Sequence, residues 1–425
     1  MSAEALDNLQ RDTFGYFLKE TNLRNGMVPD NTRPGAHASI AAIGLGLAAY
    51  PIAVERAFIS YEEAIERLLT TLRFFWNSEQ GKQSHATGYK GFYYHFLDMD
   101  HGRRAWECEL STIDSAILIA GALVAATYFD QETEAEQEIR NLADDLYRRM
   151  DWQWALNGGA KVSMGWMPES GFLPYCWEGY NEAILLHVLG LASPAHPLPV
   201  ETYKAFTSTY SWKEIYGREF LYGGPLFMHQ LSHMWIDFRG IQDEFMRGKG
   251  IDYFENSRRA TYVQQQYAIH NPHQFKGYGE NAWGITASDG PGPAVLKIDD
   301  IERSFFDYEA RGVPYGPDDG TIAPWAAATS LPFAPEIVLP ALQYFNDAYP
   351  DMTSEYGFKC SFNPTFKDEQ SRRGWVSKGY YGLDQGPVVV MIENYRSGFF
   401  WDLTRKCAYL VDGLRRAGFT GGWLE

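Results

Sequence analysis

The chain has 425 residues, 45% of them hydrophobic, and its 37 basic side chains against 54 acidic ones give a formal net charge of −17. This composition is typical of a folded globular protein and excludes a disordered chain. The acidic balance also argues against nucleic acid and anionic membrane surfaces as partners, because both require a dense basic surface. We therefore expect a soluble protein whose partner is neutral or small.

Helical periodicity dominates the chain. Between Tyr61 and Trp76 the apolar side chains fall on one helix face, and Ser60 supplies an N-cap before an acidic first turn. Similar patterns predict twelve helices in all, over 3–19, 37–50, 61–76, 107–129, 133–151, 179–190, 199–209, 226–238, 252–270, 333–348, 384–395 and 399–416. Twelve helices suit six helical hairpins closed into a ring around one core, in a single domain over residues 1–425. A helical solenoid is the alternative, but it should show sequence repeats, and none is visible.

Long connections rich in aromatic residues, Gly and Pro separate these helices. Within one of them, Gly91–Leu97 is predicted to be a short strand. Ordered loops of such length are often functional, so we expect them to gather at one rim of the ring and form a pocket. The connections cover 78–106, 157–178, 211–225, 272–300 and 311–332.

The cysteines and the apolar segments give no sign of metal binding or of membrane insertion. The four cysteines form no CxxC pair, and we expect buried thiols. No signal-peptide core is visible near the first residue, and no apolar stretch reaches the roughly 20 residues that span a bilayer. We expect no membrane association; the compartment stays open between cytoplasmic and, if an export signal was removed, periplasmic or secreted.

The first candidate site covers Trp106 to Asp114 and joins a long loop to an apolar helix. An ionised carboxylate is costly on such a helix unless it is paired or used. Asp114 is therefore either a buried structural acid bonded to Ser111 or to the backbone, or a pocket acid or base. Glu109 is expected to reach the rim.

The second candidate site covers Tyr175 to Leu186. Glu178 and Glu182 lie at i and i+4, so they share a face if both are helical. Glu182 directly precedes an apolar run, and an apolar, aromatic setting raises the pKa of a carboxyl group, as a general acid requires. The alternative is an acid favoured by the helix dipole at a helix start.

Two further segments carry weaker signals. His229 and His233 lie four residues apart, and the lack of an HExxH motif favours hydrogen-bonding pocket histidines or core histidines over a metal site. Trp283 suits a sugar platform, although packing within its loop is equally compatible. Asp319 belongs to a DDG segment, which is first of all a turn signal.

The fifth candidate is Asp384, which lies where a loop enters a very apolar helix. It is either an N-cap or a pocket carboxylate fixed by that helix end. Nucleotide-binding glycine loops and a GxSxG nucleophile elbow are absent from the sequence. Paired carboxylates with aromatic platforms are the pattern of glycoside hydrolysis.

Several of these segments occur in the order seen in one known family. From about residue 5 to 416 the chain resembles the glycoamylase-like family, which includes bacterial endo-β-1,2-glucanases and is similar to the catalytic region of cyclic β-1,2-glucan synthases. The resemblance is carried by ELSTIDSAIL (109–118), GYNEAILL (179–186), ASDGP (287–291), DDGTIAPWAAATSLPFAPE (318–336) and GYYGLDQGPVVVMIENYRSGFFW (379–401).

The resemblance implies an all-α (α/α)6 toroid, no metal and no other cofactor, and a neutral glucan or oligosaccharide as the substrate. It places Glu109, Asp114, Glu182 and Asp384 in the pocket. The leading hypothesis is an inverting endo-β-1,2-glucanase in which Glu182, with its pKa raised beside Trp177 and Tyr180, is the general acid. Asp384 or Asp114 would activate water. The expected substrate-binding residues are Glu109, Trp106, Trp177, Glu178, Tyr180, His229, His233, Trp283, Asp319 and Tyr381.

Three alternatives stay open at this point. The chain could be an exo-acting hydrolase, a retaining transglycosylase on another β-glucoside, or a glucan-binding protein without catalysis. The family does not decide between inversion and retention, which require carboxyl separations of roughly 6.5–9.5 Å and roughly 5–5.5 Å respectively. The oligomeric state is also left open.

Overall fold

Helices form the framework of the computed structural model, which describes residues 1–367 and 373–425. Within these residues there are fifteen α-helices: α1 Ala3–Glu20, α2 Ile40–Glu55, α3 Tyr61–Asn77, α4 Thr112–Tyr128, α5 Glu134–Arg148, α6 Ile184–Ala192, α7 Glu201–Thr207, α8 Leu231–Trp235, α9 Glu244–Lys249, α10 Tyr253–His270, α11 Pro324–Thr329, α12 Pro335–Ala348, α13 Gly382–Arg396, α14 Phe399–Thr404 and α15 Ala408–Arg416. Short 3₁₀ turns lie at 154–156, 226–229, 350–352 and 422–424.

Short antiparallel strands lie in the connections between the helices. β2, β3, β5, β6 and β7 form one sheet in that order, and the other strands pair as β1–β4, β8–β9, β10–β13, β11–β12, β14–β15 and β16–β17. The strands are β1 Ala38–Ser39, β2 Gly88–Tyr89, β3 Phe92–Tyr94, β4 Phe96–Leu97, β5 Leu110–Ser111, β6 Gly165–Met167, β7 Gly171–Phe172, β8 Trp212–Ile215, β9 Arg218–Leu221, β10 Ala287–Ser288, β11 Ala294–Ile298, β12 Ile301–Phe305, β13 Glu309–Ala310, β14 Thr353–Ser354, β15 Gly357–Phe358, β16 Phe362–Asn363 and β17 Trp375–Val376.

These strands correct the expectation of a strictly all-α fold. The long connections cover the ends of buried helices, where an unpaired backbone N–H or C=O is costly, so they pair with one another. The short strand expected over Gly91–Leu97 is confirmed as β3 and β4.

The helices pack in a closed cycle. α2 packs against α4, α4 against α6, α6 against α8, α8 against α13, and α13 again against α2. Other helices flank this cycle: α1 packs on α13, α15 on α6, α12 on α11, and α3 on α5.

The centre of the fold is the contact between α2 and α4. Both helices are buried on every side over most of their length, as expected for helices that are apolar all round. Ser39 and Ser111 cap them, each accepting a hydrogen bond from a backbone N–H of the first turn. The two backbones meet at Gly44 and Gly121, where an added Cβ on either residue would overlap the backbone of the other helix.

We expect Gly121→Ala to lower the free energy of unfolding by about 1–3 kcal/mol, because the methyl group must displace the α2 backbone. Denaturant unfolding measures this effect. Gly248→Ala is the matched control: an added Cβ there meets nothing within 4 Å, and the variant should be unchanged or up to about 1 kcal/mol more stable. Equal stabilities of the two variants would contradict the close packing of α2 on α4.

Most predicted helices are present, with shifted ends. Ser60 caps α3 as predicted. The segment 399–416 is divided into α14 and α15, and 226–238 is divided into a 3₁₀ turn and α8. α11 lies inside 311–332, which was expected to be a loop, and α9 was not predicted. The predicted helix over 179–190 begins only at Ile184.

The four cysteines have free thiols, and two of them are buried. Cys360 and Cys407 are buried as expected, whereas Cys108 and Cys176 are only partly buried. Over residues 1–367 and 373–425, no helix combines the length and the apolar character needed to cross a bilayer.

Candidate active site

Acidic side chains converge at the N-terminal ends of three helices of the cycle. Asp114 lies in the first turn of α4, Asp384 in the first turn of α13, and Glu182 two residues before α6. Asp30 joins them from the loop before β1, where its carbonyl accepts a hydrogen bond from the Gly382 amide. Helix N-termini favour negative charge, so the fold itself can hold these carboxylates together.

Glu182 has the environment of a proton donor. Its Oε2 atom is shielded from solvent and has no hydrogen-bond partner among the described residues. Burial, and then the charge of Asp114, raise the pKa of Glu182 to about 7. A carboxyl group that keeps its proton near neutral pH suits general acid catalysis.

Asp114 is held in place by two neighbours. The Ser111 hydroxyl donates to Asp114 Oδ2 at 2.5 Å, and the His95 Nε2 atom lies 3.6 Å from the same oxygen. The bond to Ser111 is the one that a structural acid was expected to make. Asp114 nevertheless lies close enough to Glu182, the candidate acid, for its charge to raise the pKa of Glu182.

His95 was not predicted to be a site residue, and it lies between two of the carboxylates. Its Nδ1 atom is 2.9 Å from Glu109 Oε1, and its backbone N–H donates to the Glu109 carbonyl. Burial opposes ionisation of Glu109, but the bond to His95 and its charge lower the pKa of Glu109 below the usual value. The available sequence signal was a single histidine in the aromatic segment 92–96, between β3 and β4.

Asp384 is buried, and its Oδ2 atom has no hydrogen-bond partner within 1–367 and 373–425. Burial raises its pKa well above the usual range; a hydrogen bond with the Cys360 thiol opposes the shift, and the charges of Asp30 and Asp289 add to it. The N-cap position of α13 is Tyr381, so the alternative that Asp384 caps this helix is wrong. Asp384 instead offers a buried carboxyl oxygen without a described hydrogen-bond partner, which can accept a proton once the carboxyl group is ionised.

Asp289 forms the far side of this acidic group. The Arg33 Nη2 atom and the Ser377 hydroxyl both donate to Asp289 Oδ2, at 2.5 and 2.6 Å. The Arg33 guanidinium also lies 5.8 Å from the centre of the Tyr381 ring. Arg33 is half-exposed while Asp289 is buried, so a cation lies at the edge of the acid cluster.

Trp106 is the most exposed of the predicted aromatic platforms, with 60% of its surface accessible. Trp106 and Glu107 both have left-handed backbone conformations, at φ of 53° and 50°, which is costly for such residues. Arg104 holds this turn by donating to the carbonyls of Glu107 and Cys108. The Trp106 ring packs edge-on against His37, with ring centres 4.4 Å apart.

The other aromatic candidates near the acids are less accessible. Trp177 is buried, and its Nε1 donates to Thr112 Oγ1 at 2.9 Å, beside α4. Tyr180 is buried and stacks on Tyr253. Tyr381 has only 7% of its surface exposed and packs against Tyr308, which is itself exposed.

Glu178 lies outside the acid cluster. α6 begins after both Glu178 and Glu182, so the expected shared helical face does not form and that prediction is wrong. Glu178 is exposed and forms an ion pair with Lys161. Its expected role as a ligand of sugar hydroxyls stays a prediction.

The two histidines of the third segment lie in the core. His229 Nε2 faces the Gly223 carbonyl at 3.1 Å, and His233 Nε2 faces the Ser257 hydroxyl at 2.9 Å. Burial lowers the pKa of His229 to about 4, and burial together with the charge of His229 lowers the pKa of His233 well below its usual value. Both are 1% exposed, which corrects their expected role in binding sugar hydroxyls. Over 1–367 and 373–425, no group of three His, Cys, Asp or Glu side chains could hold a metal ion.

Trp283 and Asp319 are structural residues. Trp283 is fully buried in an apolar cluster and offers no ring face to a sugar. Asp319 forms a buried, two-point ion pair with Arg311 at 2.7 and 2.8 Å, and it also accepts from the backbone amides of Phe306 and Thr321. Both expectations of substrate contact are therefore corrected.

We expect Asp319→Asn to lower the free energy of unfolding by about 3–5 kcal/mol, because it leaves the Arg311 charge buried without its partner. Chemical denaturation measures the loss. Asp300→Asn is the control: Asp300 is 95% exposed in its pair with Lys297, and an exposed pair is worth about 0–1 kcal/mol. An Asp319→Asn protein as stable as this control would refute a structural role for the pair.

Comparisons with known proteins identify the family of this chain. Residues 174–408, more than half of the chain, match the Glycoamylase family model, described as "Putative glucoamylase". A solved Bacteroides uniformis structure with that same description is 32% identical, with a TM-score of 0.87 and coverage of 100% of this chain and 99% of that one. The endo-β-1,2-glucanase of Chitinophaga pinensis, solved with sophorotriose and glucose, is 27% identical, with a TM-score of 0.84 and full coverage of both chains.

A curated relative from Parabacteroides distasonis is an exo-β-1,2-glucooligosaccharide sophorohydrolase acting at the non-reducing end. It is 28% identical over 97% of this chain. This chain spans 57% of the length of that relative. By the extent of the family match and of the structural similarity, the chain belongs to the Glycoamylase family.

Proposed function

We propose that this chain is a glycoside hydrolase that cleaves linear β-1,2-glucan internally, with inversion at the anomeric carbon. The observation that carries the proposal is the shielded carboxyl group of Glu182, with its pKa raised to about 7, beside Asp114 in an acid-lined site. The names of the C. pinensis and P. distasonis relatives support β-1,2-linked glucose as the substrate. The fold proposed is an (α/α)6 toroid formed by one domain over 1–425; the five-helix cycle, with α11 packed on α13 as a sixth helix, supports it.

Glu182 is the general acid in this proposal. It donates its proton to the glycosidic oxygen as the C–O bond breaks, and the leaving sugar departs as an alcohol. Asp114 is the charged neighbour that keeps the proton on Glu182. Asp114 Oδ2 already receives the Ser111 hydroxyl and faces His95, so it is a poorer acceptor for a proton from water.

Asp384 is the general base in this proposal. Its charged neighbours are Asp30 and Asp289, whereas that of Glu182 is Asp114, which is consistent with Asp384 and Glu182 acting on opposite faces of the sugar ring. Water attacks the anomeric carbon from the Asp384 side and loses its proton to the free Oδ2 atom. Inversion requires room for this water between the two carboxyl groups, which is a separation of roughly 6.5–9.5 Å.

Trp106 is the proposed sugar platform at the rim. Its ring is exposed and its turn is fixed by Arg104, so little ordering entropy is lost when a sugar stacks on it. Glu109 and Tyr381 are proposed to bond substrate hydroxyls, since both lie at the acid cluster. Trp177 and Tyr180 instead build the apolar wall behind Glu182.

The proposal is tested by incubating the purified protein with linear β-1,2-glucan and following the products by chromatography. β-1,3- and β-1,4-glucans of similar length are the controls. A ladder of mixed β-1,2-oligosaccharides from the earliest time point is expected. Cleavage of a control glucan alone, or tight binding of β-1,2-glucan without any product, would contradict the proposal.

A second candidate is exo-action that releases one short product from a chain end. The observation that favours it is the name of the P. distasonis relative, an exo-acting enzyme similar to this chain over 97% of its length. The same time course separates the candidates, because exo-action gives one disaccharide from the start and leaves the long chains long.

A further inference from the structure

His95 forms a bridge within the acid cluster that the proposed mechanism has not yet used. Its ring is 32% exposed and stacks flat on Phe96, with ring centres 4.0 Å apart and planes 14° from parallel. Nδ1 lies 2.9 Å from Glu109 Oε1 and Nε2 lies 3.6 Å from Asp114 Oδ2. The backbone also fixes the residue, because the His95 carbonyl accepts from Ile40 N–H and its N–H donates to Glu109.

We propose that His95 is a positioning residue: its ring, protonated on both nitrogens, bridges Glu109 and Asp114 and holds Asp114 as a carboxylate beside Glu182. The catalytic consequence rests on the proposed function, whereas the charge state of the ring does not. His95 touches no reacting atom in this scheme and acts through Asp114.

The geometry favours a proton on both ring nitrogens, because each of them faces a carboxylate oxygen. A neutral imidazole carries one N–H and one lone pair, so a neutral ring would point a lone pair at Glu109 or at Asp114. The charged groups around the ring are Asp114 on α4, Glu109 beside β5 and Asp30 in the loop before β1. Burial lowers the pKa of His95, but these three carboxylates more than offset it and raise the pKa to about 9.

The charge of the His95 ring determines whether Glu182 or Asp114 carries the proton. Glu182 and Asp114 are close enough for the charge of one to raise the pKa of the other, and two such carboxyl groups can share a single proton. A fixed cation on the Asp114 side favours the form in which Asp114 is ionised and Glu182 is protonated. That is the form that general acid catalysis by Glu182 needs.

The first test does not involve a substrate. The His95 ring is titrated by NMR in the wild-type protein, with its signals assigned by their loss in His95→Gln. The expected midpoint is about 9, and in Asp114→Asn it should fall by about one pH unit or more. A wild-type midpoint near the ordinary value of about 6.5, or the same midpoint in Asp114→Asn, would overturn the proposal.

The second test uses the pH profile of kcat/KM on β-1,2-glucan. His95→Asn keeps a neutral donor near the Nδ1 position, and His95→Gln keeps one near Nε2, so each removes the charge and preserves one contact. Both should move the alkaline limb, which Glu182 sets, upward by about one pH unit and lower the maximum by about tenfold, because loss of the cation leaves more of the proton on Asp114. Asn should have the larger effect, because it loses the contact with Asp114.

His85→Gln is the matched control, since His85 is an exposed histidine whose Nε2 lies 3.5 Å from the Glu79 carboxylate. Its profile should equal that of the wild type. A uniform loss of rate in the His95 variants with an unmoved alkaline limb would mean a merely structural role. If the NMR titration gives the expected midpoints but no glucan is cleaved, the proposed function is wrong, whereas the bridge formed by His95 is supported.

Discussion

Replacing Glu182 with glutamine is expected to lower kcat on β-1,2-glucan by about 10³-fold or more while leaving substrate binding nearly unchanged. Glutamine preserves the shape of the side chain but has no proton to give to the leaving oxygen, and general acid catalysis contributes about 10²–10⁴-fold. Initial rates and binding isotherms on the same oligosaccharide measure the two quantities separately.

Glu201→Gln provides the matched control for this variant. Glu201 is also an acid at the start of a helix, but it is exposed, on α7. The control should have wild-type kcat. Near-normal turnover by Glu182→Gln would remove Glu182 from the role of acid, and an equal loss in both variants would indicate a general effect of the substitution.

The protonation state of Glu182 also determines how kcat/KM changes on the alkaline side of its pH profile. Its pKa is raised to about 7, and the acid is active only while protonated, so kcat/KM should fall as the pH rises through this value. Asp114→Asn should move this limb to lower pH, because the charge of Asp114 is one of the causes that raise the pKa of Glu182.

Replacing Asp384 with asparagine is expected to have an effect of similar size, a loss of about 10³-fold in kcat, because the attacking water then has no carboxylate to take its proton. The loss should be uniform over the alkaline limb, whose position should stay at that of the wild type. This pattern distinguishes the base from Asp114, whose replacement moves the limb.

Stability supplies the control for Asp384→Asn. A buried carboxyl group with a raised pKa costs the folded state free energy once the pH exceeds the unfolded pKa, since the protein must then hold a proton or bury a charge. The asparagine variant should therefore have a Tm at about pH 8 no lower than that of the wild type. An inactive variant with a much lower Tm would show that Asp384 is needed for folding and would contradict its assignment as the base.

Local sequence patterns predicted the helices that have an apolar stripe along one face or a clear N-cap residue. α3 is the clearest case, because Ser60 and the apolar spacing lie within 20 residues of sequence. α6 begins later than its apolar pattern suggests because Asn181 bonds the Ala183 amide and forms a turn there. α11 is a buried helix of six residues, too short for periodicity to distinguish from a loop.

The candidate site was predictable where an acid precedes an apolar run, as at Asp114, Glu182 and Asp384. Asp30 and Asp289 come from loops distant in sequence, and their approach to Asp384 depends on tertiary packing. Trp283 shows that one local pattern can be compatible with two roles. An aromatic residue in a Gly-rich loop can form a sugar platform or be buried in the core. The burial of its ring depends on α11 and its neighbours.

The anomeric form of the first product tests the central claim most directly. Wild-type protein is mixed with linear β-1,2-glucan, and the newly formed reducing end is observed by proton NMR before mutarotation. Direct attack by water inverts the anomeric carbon, so the proposed roles of Glu182 and Asp384 predict that the first signal is that of the α-anomer. A β-anomer as the first product would contradict this assignment of the two carboxyl groups, and the absence of any new reducing end would contradict the proposed hydrolase.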